Sequence, residues 1–474
     1  MLLKYFYDEK LAQASYMVGC QVTKEAVVID PARNITPYIE EAKRNGMEIV
    51  GALETHIHAD FVSGARELAV TQKSCLYVSD EGNKHWKYEN IDHLRHNLLK
   101  DGDEFQIGRL TFQVLHTPGH TPESISFLLT DGGGQADQPI GIFTGDFVFV
   151  GDVGRPDLLE KVAGAQGTAE KGAYQMFESL KRFRELPDYL QVWPAHGAGS
   201  ACGKSLGAIP SSTVGYEKRF NWALQHTNCD GFVTALLDGQ PEPPKYFAIM
   251  KRVNKVGTHL LGDLPDIKKM TEIALLEERI RNGVQVIDTR ESAQFAQEHI
   301  EGTINIPFGS SFVNWTGWLV DYEQPLDLLA KSEEIDEIKE MLHSIGIDHI
   351  NSYMNVDEAI AAASRCESYQ NISPQEIDAI MKEKNAQLLD VRNLSEWNKG
   401  HIEGAKHMML GTIADRIDEI TLQCPVIVQC GSGIRSAIGA SLLQANGIKD
   451  VYNMLGGYVQ WKKDVQHENV TSGG

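Results

Sequence analysis

THIHADFVSG, residues 55–64, sets His56, His58 and Asp60 at alternate positions and follows them at once with Phe61. The run lies directly after the apolar stretch EIVGALE, so it reads as a strand whose end carries polar ligands on a loop. Three further strand ends have the same character: TPGHT supplies His120, FTGD supplies Asp146 and WPAHG supplies His196. Neutral imidazole and ionised carboxylate both donate to a borderline divalent cation, and four such ends in one chain point to a metal centre rather than to unrelated loops.

Around these ends, apolar runs such as EAVVID and LTFQVLH alternate with glycine turns, and helical patterns fall at 35–45, 61–72 and 168–185. That is an α/β arrangement of sheets flanked by helices. The proline-rich DGQPEPPKYF (238–247) is expected to close this first unit, and the domain is placed at 1–257.

The whole chain has 474 residues, which at about 100–200 residues per domain implies several units. A formal charge of −21 repels phosphate backbones and anionic lipid, so neither nucleic acid nor a membrane surface is expected as a partner. The start MLLKYFYDEKLAQ lacks a basic segment followed by an apolar run, and no stretch approaches ~18 uninterrupted apolar residues. A cytoplasmic location is expected. Cysteines 20, 75, 202, 229, 366, 424 and 430 are odd in number, scattered and without a CxxC pair, which signals neither a disulfide framework nor a structural zinc site.

A repeat occupies the second half. VIDTRESAQFAQEHIEG (286–302) and LLDVRNLSEWNKGHIEG (388–404) superpose at one offset, pairing Asp288 with Asp390, Arg290 with Arg392 and Phe295 with Trp397. Two copies of an α/β module are therefore expected, at 258–368 and 369–474, joined near 366–373. In the second copy PVIVQCGSGIRSAIGASLLQ (425–444) reads as buried strand, glycine loop and helix. Backbone N–H groups of Gly431, Ser432, Gly433 and Ile434 would cradle a negative sulfur on Cys430, and Arg435 closes the loop. A cysteine phosphatase needs the longer CxxxxxR to surround phosphate; CxxxxR suits a single sulfur atom. The first copy reads PLDLLAKSEEIDE instead, placing Ala330 against Cys430 and Ile335 against Arg435. That copy is expected to serve packing, spacing or dimerisation, with Trp315 and Trp318 in an interface.

The order HxHxD, TPGHT, GD, PAH resembles the metallo-β-lactamase fold over about residues 1–250, and the Cys430 module resembles a rhodanese. The implied architecture is an αββα sandwich followed by two rhodanese-like α/β domains, the first degenerate. Within the superfamily the chain is most similar to persulfide dioxygenases fused to rhodanese domains. That resemblance implies one Fe(II) per chain held by His56, His120 and Asp146, with His58, Asp60 and His196 orienting ligands and bound water. Hydrolytic members such as glyoxalase II read HxHxDH, so Phe61 removes a donor for a second ion. The family further implies that Arg155 binds the anionic group of the thiol carrier, with a turn pairing to Asp157 as the alternative. Tyr174 is implied near the active site and Cys202 as a gate or relay for persulfide sulfur. His116 is read as structural, and His85, His93 and His96 as solvated.

The implied reaction is oxidation of a low-molecular-weight thiol persulfide by O2 to sulfite and free thiol, with Cys430 passing sulfane sulfur to sulfite as thiosulfate. A homo-oligomer, dimer or tetramer, is expected. The alternatives are a zinc-dependent thioester hydrolase of glyoxalase II type with rhodanese tails, and a non-enzymatic sulfur-carrier scaffold.

Overall fold

The computed structural model describes residues 1–163, 167–204, 206–421 and 423–471, with side chains for all of these except 159, 162, 163 and 465–471. The chain forms two compact units, residues 1–264 together with 343–346, and residues 265–342 together with those from 347 onward.

The first unit holds two six-stranded sheets. One runs β1 (Leu2–Asp8), β2 (Gln13–Cys20), β3 (Glu25–Ile29), β4 (Glu48–Leu53), β5 (Cys75–Ser79) and β6 (His96–Leu99) in spatial order. The other contains β7 (Glu104–Ile107), β8 (Leu110–His116), β9 (Ile125–Asp131), β10 (Gly141–Gly145), β11 (Gln191–Pro194) and β12 (Ser212–Thr213), in the reverse spatial order from β12 to β7. Successive side chains of a strand point to opposite faces, and β3 shows the consequence. Val27 and Ile29 face Phe112, Phe127 and Phe143 between the sheets. Ala26 and Val28 face outward onto Tyr38, Ala42 and Leu68 of the helices Thr36–Arg44 and Ala65–Thr71. Strands covered on both sides read as continuous apolar runs. On the far side, Leu128, Ile142 and Val192 meet Met176, Leu180 and Phe183 of the helix Thr168–Glu185, which completes four layers.

The proline-rich segment does not end this unit. Beyond it the helix Phe247–Val256 returns to the HxHxD loop, where the Asn254 amide donates to the carbonyls of His58 (2.8 Å) and Phe61 (2.6 Å). A loop carrying buried polar groups needs such partners, and one asparagine within an amphipathic helix gives no signal of it in sequence.

The second unit contains two five-stranded sheets, parallel throughout. The first comprises β13 (Lys268–Lys269), β14 (Gln285–Asp288), β16 (Ile304–Asn305), β17 (Leu326–Ala330) and β18 (Ile350–Asn355), in the order β13-β18-β17-β14-β16. The short pair β15 (His299–Ile300) and β19 (Cys366–Glu367) lies beside it. The second has β20 (Gln370–Ile372), β21 (Gln387–Asp390), β22 (Lys406–His407), β23 (Val426–Gln429) and β24 (Val451–Met454), in the order β20-β24-β23-β21-β22. The two orders correspond strand for strand. Trp315 and Trp318 are buried within this unit, and the Trp318 indole covers Gly411 of the second module so closely that no side chain fits there. All seven cysteines are free, and among the described residues no helix is long and apolar enough to cross a membrane.

Candidate metal centre and thiol loop

His56, His58 and Asp60 follow β4, His120 lies between β8 and β9, Asp146 follows β10 and His196 follows β11. Those ends converge. Ligand atoms of His56, His120 and Asp146 lie within 4.8 Å of one another, with His120 Nε2 3.4 Å and His56 Nε2 3.8 Å from Asp146 Oδ2. His196 Nε2 stands 3.4 Å from Asp146 Oδ1 and 3.1 Å from Asp60.

The other ring nitrogen fixes each imidazole. His120 Nδ1 donates to the Arg155 carbonyl and His196 Nδ1 to the Ala12 carbonyl, both at 3.0 Å. His56 Nδ1 donates to Thr55 Oγ1 at 3.0 Å, because the Thr55 hydroxyl is itself committed to Asp30 at 2.8 Å. That leaves each Nε2 aimed inward, the arrangement by which a second contact orients a ligating histidine. Burial holds His56 well below its ordinary range and lowers His120; neutral imidazole is the ligating form. At His196 burial is outweighed by Asp146 and Asp60, which hold it well above that range.

His56 Nε2, His196 Nε2 and both oxygens of Asp60 and Asp146 are buried without a hydrogen-bond partner. Leaving a buried polar atom unpaired costs about 1–3 kcal/mol, so six in one cluster require a shared partner, and a divalent cation fits the donor set. Phe61 completes the selection. Buried at 1 % exposure, its ring lies 4.5 Å from that of His58, where it adds bulk and no donor.

Several expected residues stand elsewhere. The Nε2 of His58 turns away from the cluster to lie 3.1 Å from Asp30 and 3.2 Å from Glu54, while its ring stays in contact with that of His56 at 4.2 Å between centroids. Two carboxylates make a stronger claim on a buried imidazole than a site already holding three others. Arg155 does not present its guanidinium to a substrate. It is fully buried, forked onto Asp157 by two bonds of 2.7 Å, and donates also to the carbonyls of Ala201 (3.3 Å) and Pro241 (2.6 Å). Tyr174 is 40 % exposed with its hydroxyl 3.3 Å from Asp230. Cys202 does come to the cluster, grouped with Asp60 and His196, and burial together with the Asp146 and Asp60 charges pushes its thiol up to about 12. His116 Nε2 donates to the Pro122 carbonyl (2.9 Å); His85 and His93 are exposed and His96 is half-buried. Asp30 went unnoticed in sequence, although an acid closing the apolar run EAVVID is the same signal that marks Asp146.

In the second unit Cys430 follows β23 and is fully buried at the base of a loop whose Ser432 and Ile434 are exposed. Gly433 N–H donates to its sulfur at 3.1 Å, and Gly433 takes φ +102° before the helix Ile434–Ala445. Arg435 is forked onto Glu396 at 2.6 and 2.7 Å. Gly457 holds the loop from behind at φ +57°, a position where a Cβ would strike the Cys430 carbonyl, while Tyr458 N–H donates to that carbonyl at 2.7 Å. Glu396 also went unnoticed, its capping place three residues after Asn393 offering a sufficient structural reason for it.

A four-layer sandwich with imidazole and carboxylate donors at its strand ends defines a metal-dependent enzyme class. The metallo-beta-lactamase superfamily model matches residues 9–196, and the rhodanese-like domain model matches residues 373–464. The chain belongs to the metallo-beta-lactamase superfamily and carries a C-terminal rhodanese-like domain. A crystal structure of a metallo-beta-lactamase from Staphylococcus aureus is 43 % identical, spans 75 % of this chain and 99 % of its own, and superposes with a TM-score of 0.68. A mitochondrial persulfide dioxygenase of Bos taurus is 27 % identical over 246 residues, 50 % of this chain and 80 % of its own. A hydroxyacylglutathione hydrolase of Gloeobacter violaceus is 33 % identical over 182 residues, 38 % and 62 % of the two chains.

Proposed function

We propose that the first unit is an iron-dependent persulfide dioxygenase and the C-terminal module a sulfurtransferase. The observation that carries this reading is the two-histidine, one-carboxylate set His56, His120 and Asp146 beside a Phe61 that offers no donor to a second ion. Such a set suits a single non-heme iron with open positions, and iron so bound supplies the means of reacting O2 with persulfide sulfur. The balanced reaction is RSSH + O2 + H2O → RSH + SO3²⁻ + 2H⁺. The chain's own residues hold the ligands His56 and His120 through Thr55 and the Arg155 carbonyl, and the Ala12 carbonyl holds His196 beside them. Their burial keeps bulk water from the reacting sulfur.

Cys430 then breaks the S–S bond of a second persulfide, taking its sulfane sulfur and releasing RSH, and gives that sulfur to sulfite: Cys–SSH + SO3²⁻ → Cys–SH + S2O3²⁻. Gly433 N–H and Arg435 face the negative sulfur in both halves. The module of β13 to β18 has the same strand order without that sulfur, and we read it as a degenerate rhodanese. The domains are accordingly a dioxygenase over 1–257 extended to the end of the first unit, the degenerate copy to 368 and the active copy from 369.

A second reading, a dinuclear zinc thioester hydrolase, is favoured by one observation: Asp60, His196 and Cys202 form a further buried group with both Asp60 oxygens unpaired. Metal content of anaerobically purified protein, measured with oxygen uptake on adding a persulfide, separates the two. One iron per chain and persulfide-dependent uptake is the expected result. Two zinc ions with thioester hydrolysis and no uptake would overturn it.

A further inference from the structure

With Arg155 committed to Asp157, recognition of the carrier thiol must come from another part of the first unit. A cavity of about 440 Å³ opens between the turn that carries His120 and the helix Thr168–Glu185. That volume falls within the roughly 300–1,000 Å³ of small-molecule sites. Gly119 and Pro122, on either side of His120, form part of its wall, and Trp86, Lys171, Gln175 and Lys251 form much of the rest.

Two of these groups stand out by what they do not touch. The ammonium groups of Lys171 and Lys251 make no hydrogen bond or salt bridge with any described residue. Lys251 instead lies over the Trp86 ring, 3.3 Å from its centroid. Burial there pushes the Lys251 amine down to about 8 against the pull of the buried Glu123, so an arriving anion gains a partner that water serves poorly. An amine stacked on an indole beside a buried carboxylate, and an exposed lysine without a hydrogen-bond partner among the described residues, line one cavity of a chain with net charge −21 and form an anion-binding arrangement with an aromatic wall.

We propose that this cavity holds the carrier end of the thiol persulfide, with Lys171 and Lys251 paired to its carboxylate or phosphate. The sulfur end then runs past Gly119 toward His120, and the indole of Trp86 covers the apolar stem. The assignment rests on the persulfide reading above and places the groups that meet the carrier's anionic end at Lys171 and Lys251 rather than at Arg155.

Oxygen uptake by the iron-loaded full chain tests it with three persulfides: that of glutathione, bearing carboxylates; that of coenzyme A, bearing phosphates; and that of 2-mercaptoethanol, bearing no charge. Wild type is expected to prefer a charged carrier in kcat/KM. Lys171→Gln with Lys251→Gln should reduce that preference about tenfold or more, the loss expected for a charge-assisted contact. Lys171→Arg with Lys251→Arg should keep it. The charged persulfide that loses the advantage identifies carboxylate or phosphate as the group bound. A preference unchanged in the double glutamine variant overturns the proposal.

Calorimetric binding of reduced glutathione and coenzyme A to the zinc-loaded full chain makes the test independent of turnover. If no persulfide supports oxygen uptake, the dioxygenase reading fails. The cavity assignment then stands if the double glutamine variant loses binding of a charged thiol, and falls if binding is unchanged or neither thiol binds wild type.

Discussion

The two modules of the second unit share a scaffold and differ at one loop. In the first, Asp288 holds Arg290 by contacts of 3.0 and 2.6 Å; in the second, Asp390 holds Arg392 at the same distances. Phe295 stacks on His299 with centroids 3.8 Å apart, and Trp397 stacks on His401 at 3.6 Å. At the end of the fourth strand in sequence of each five-stranded sheet the resemblance stops. β17 ends in the fully buried Ala330 and passes by a turn into the helix Ile335–Ser344, whereas β23 gives way to Cys430 and its cradle. The lock between aspartate and arginine therefore belongs to the fold, and on the proposed reading the chemistry would reside in the loop alone. A module of this kind can lose such a loop without the sheet being rebuilt.

The largest effect expected on this comparison follows Cys430→Ser. Thiosulfate formation should fall by several orders of magnitude, because a hydroxyl neither attacks sulfane sulfur nor carries it as a persulfide. Persulfide-dependent oxygen uptake should persist. Loss of both activities would show that the two centres do not work independently.

Next come the two locks. Asp288→Asn and Asp390→Asn each leave a largely buried guanidinium without its counter-charge, and breaking such a pair costs about 3–5 kcal/mol. Denaturant unfolding should register both losses, while only Asp390→Asn should also slow sulfur transfer. Equal slowing by both would contradict the assignment of chemistry to the second module.

A smaller difference separates the paired histidines. His299 is buried, and desolvation lowers it to about 4, while His401 is exposed. Between pH 6.5 and 4 the unfolded chain takes up a proton at residue 299 that the folded chain refuses. Stability from this group is thus present above pH 6.5 and lost as pH falls toward 4, by about 2–4 kcal/mol in all. Unfolding of His299→Gln across that range should show a shallower pH slope than wild type, and an unchanged slope would place the acid sensitivity elsewhere.

Ala330→Cys should have the least effect. A thiol at that site lies at the strand end with neither the glycine loop nor an arginine to receive it, so no sulfur transfer is expected by a rhodanese assay. A measurable rate would mean that strand position, and not the cradle, confers reactivity.

Much was legible before any tertiary information. The repeat, the Cys430 loop and the four strand ends all follow from local rules: residue types that ligate or cradle, and apolar periods that set them at the ends of strands. The residues themselves marked His56, His58, Asp60, His120, Asp146 and His196 as strand-end donors, and the choice of His56, His120 and Asp146 among them came from the resemblance to persulfide dioxygenases. The partners of Arg155 and His58 were not legible. Asp157, two residues away, was a visible candidate for Arg155, but the Ala201 and Pro241 carbonyls that saturate its guanidinium come from distant segments. Asp30, which takes His58 from the cluster, lies 28 residues earlier.

Sequence alone thus established the alternation of strands and helices, the repeated module, the strand-end donors and the glycine loop at Cys430, since each is written in neighbouring residues. Tertiary structure decided which polar groups are already spent and which remain available, because a buried charge is claimed by whichever partner the fold brings nearest. It paired Arg155 with Asp157 and His58 with Asp30 and Glu54, and it left Lys171 and Lys251 lining one cavity.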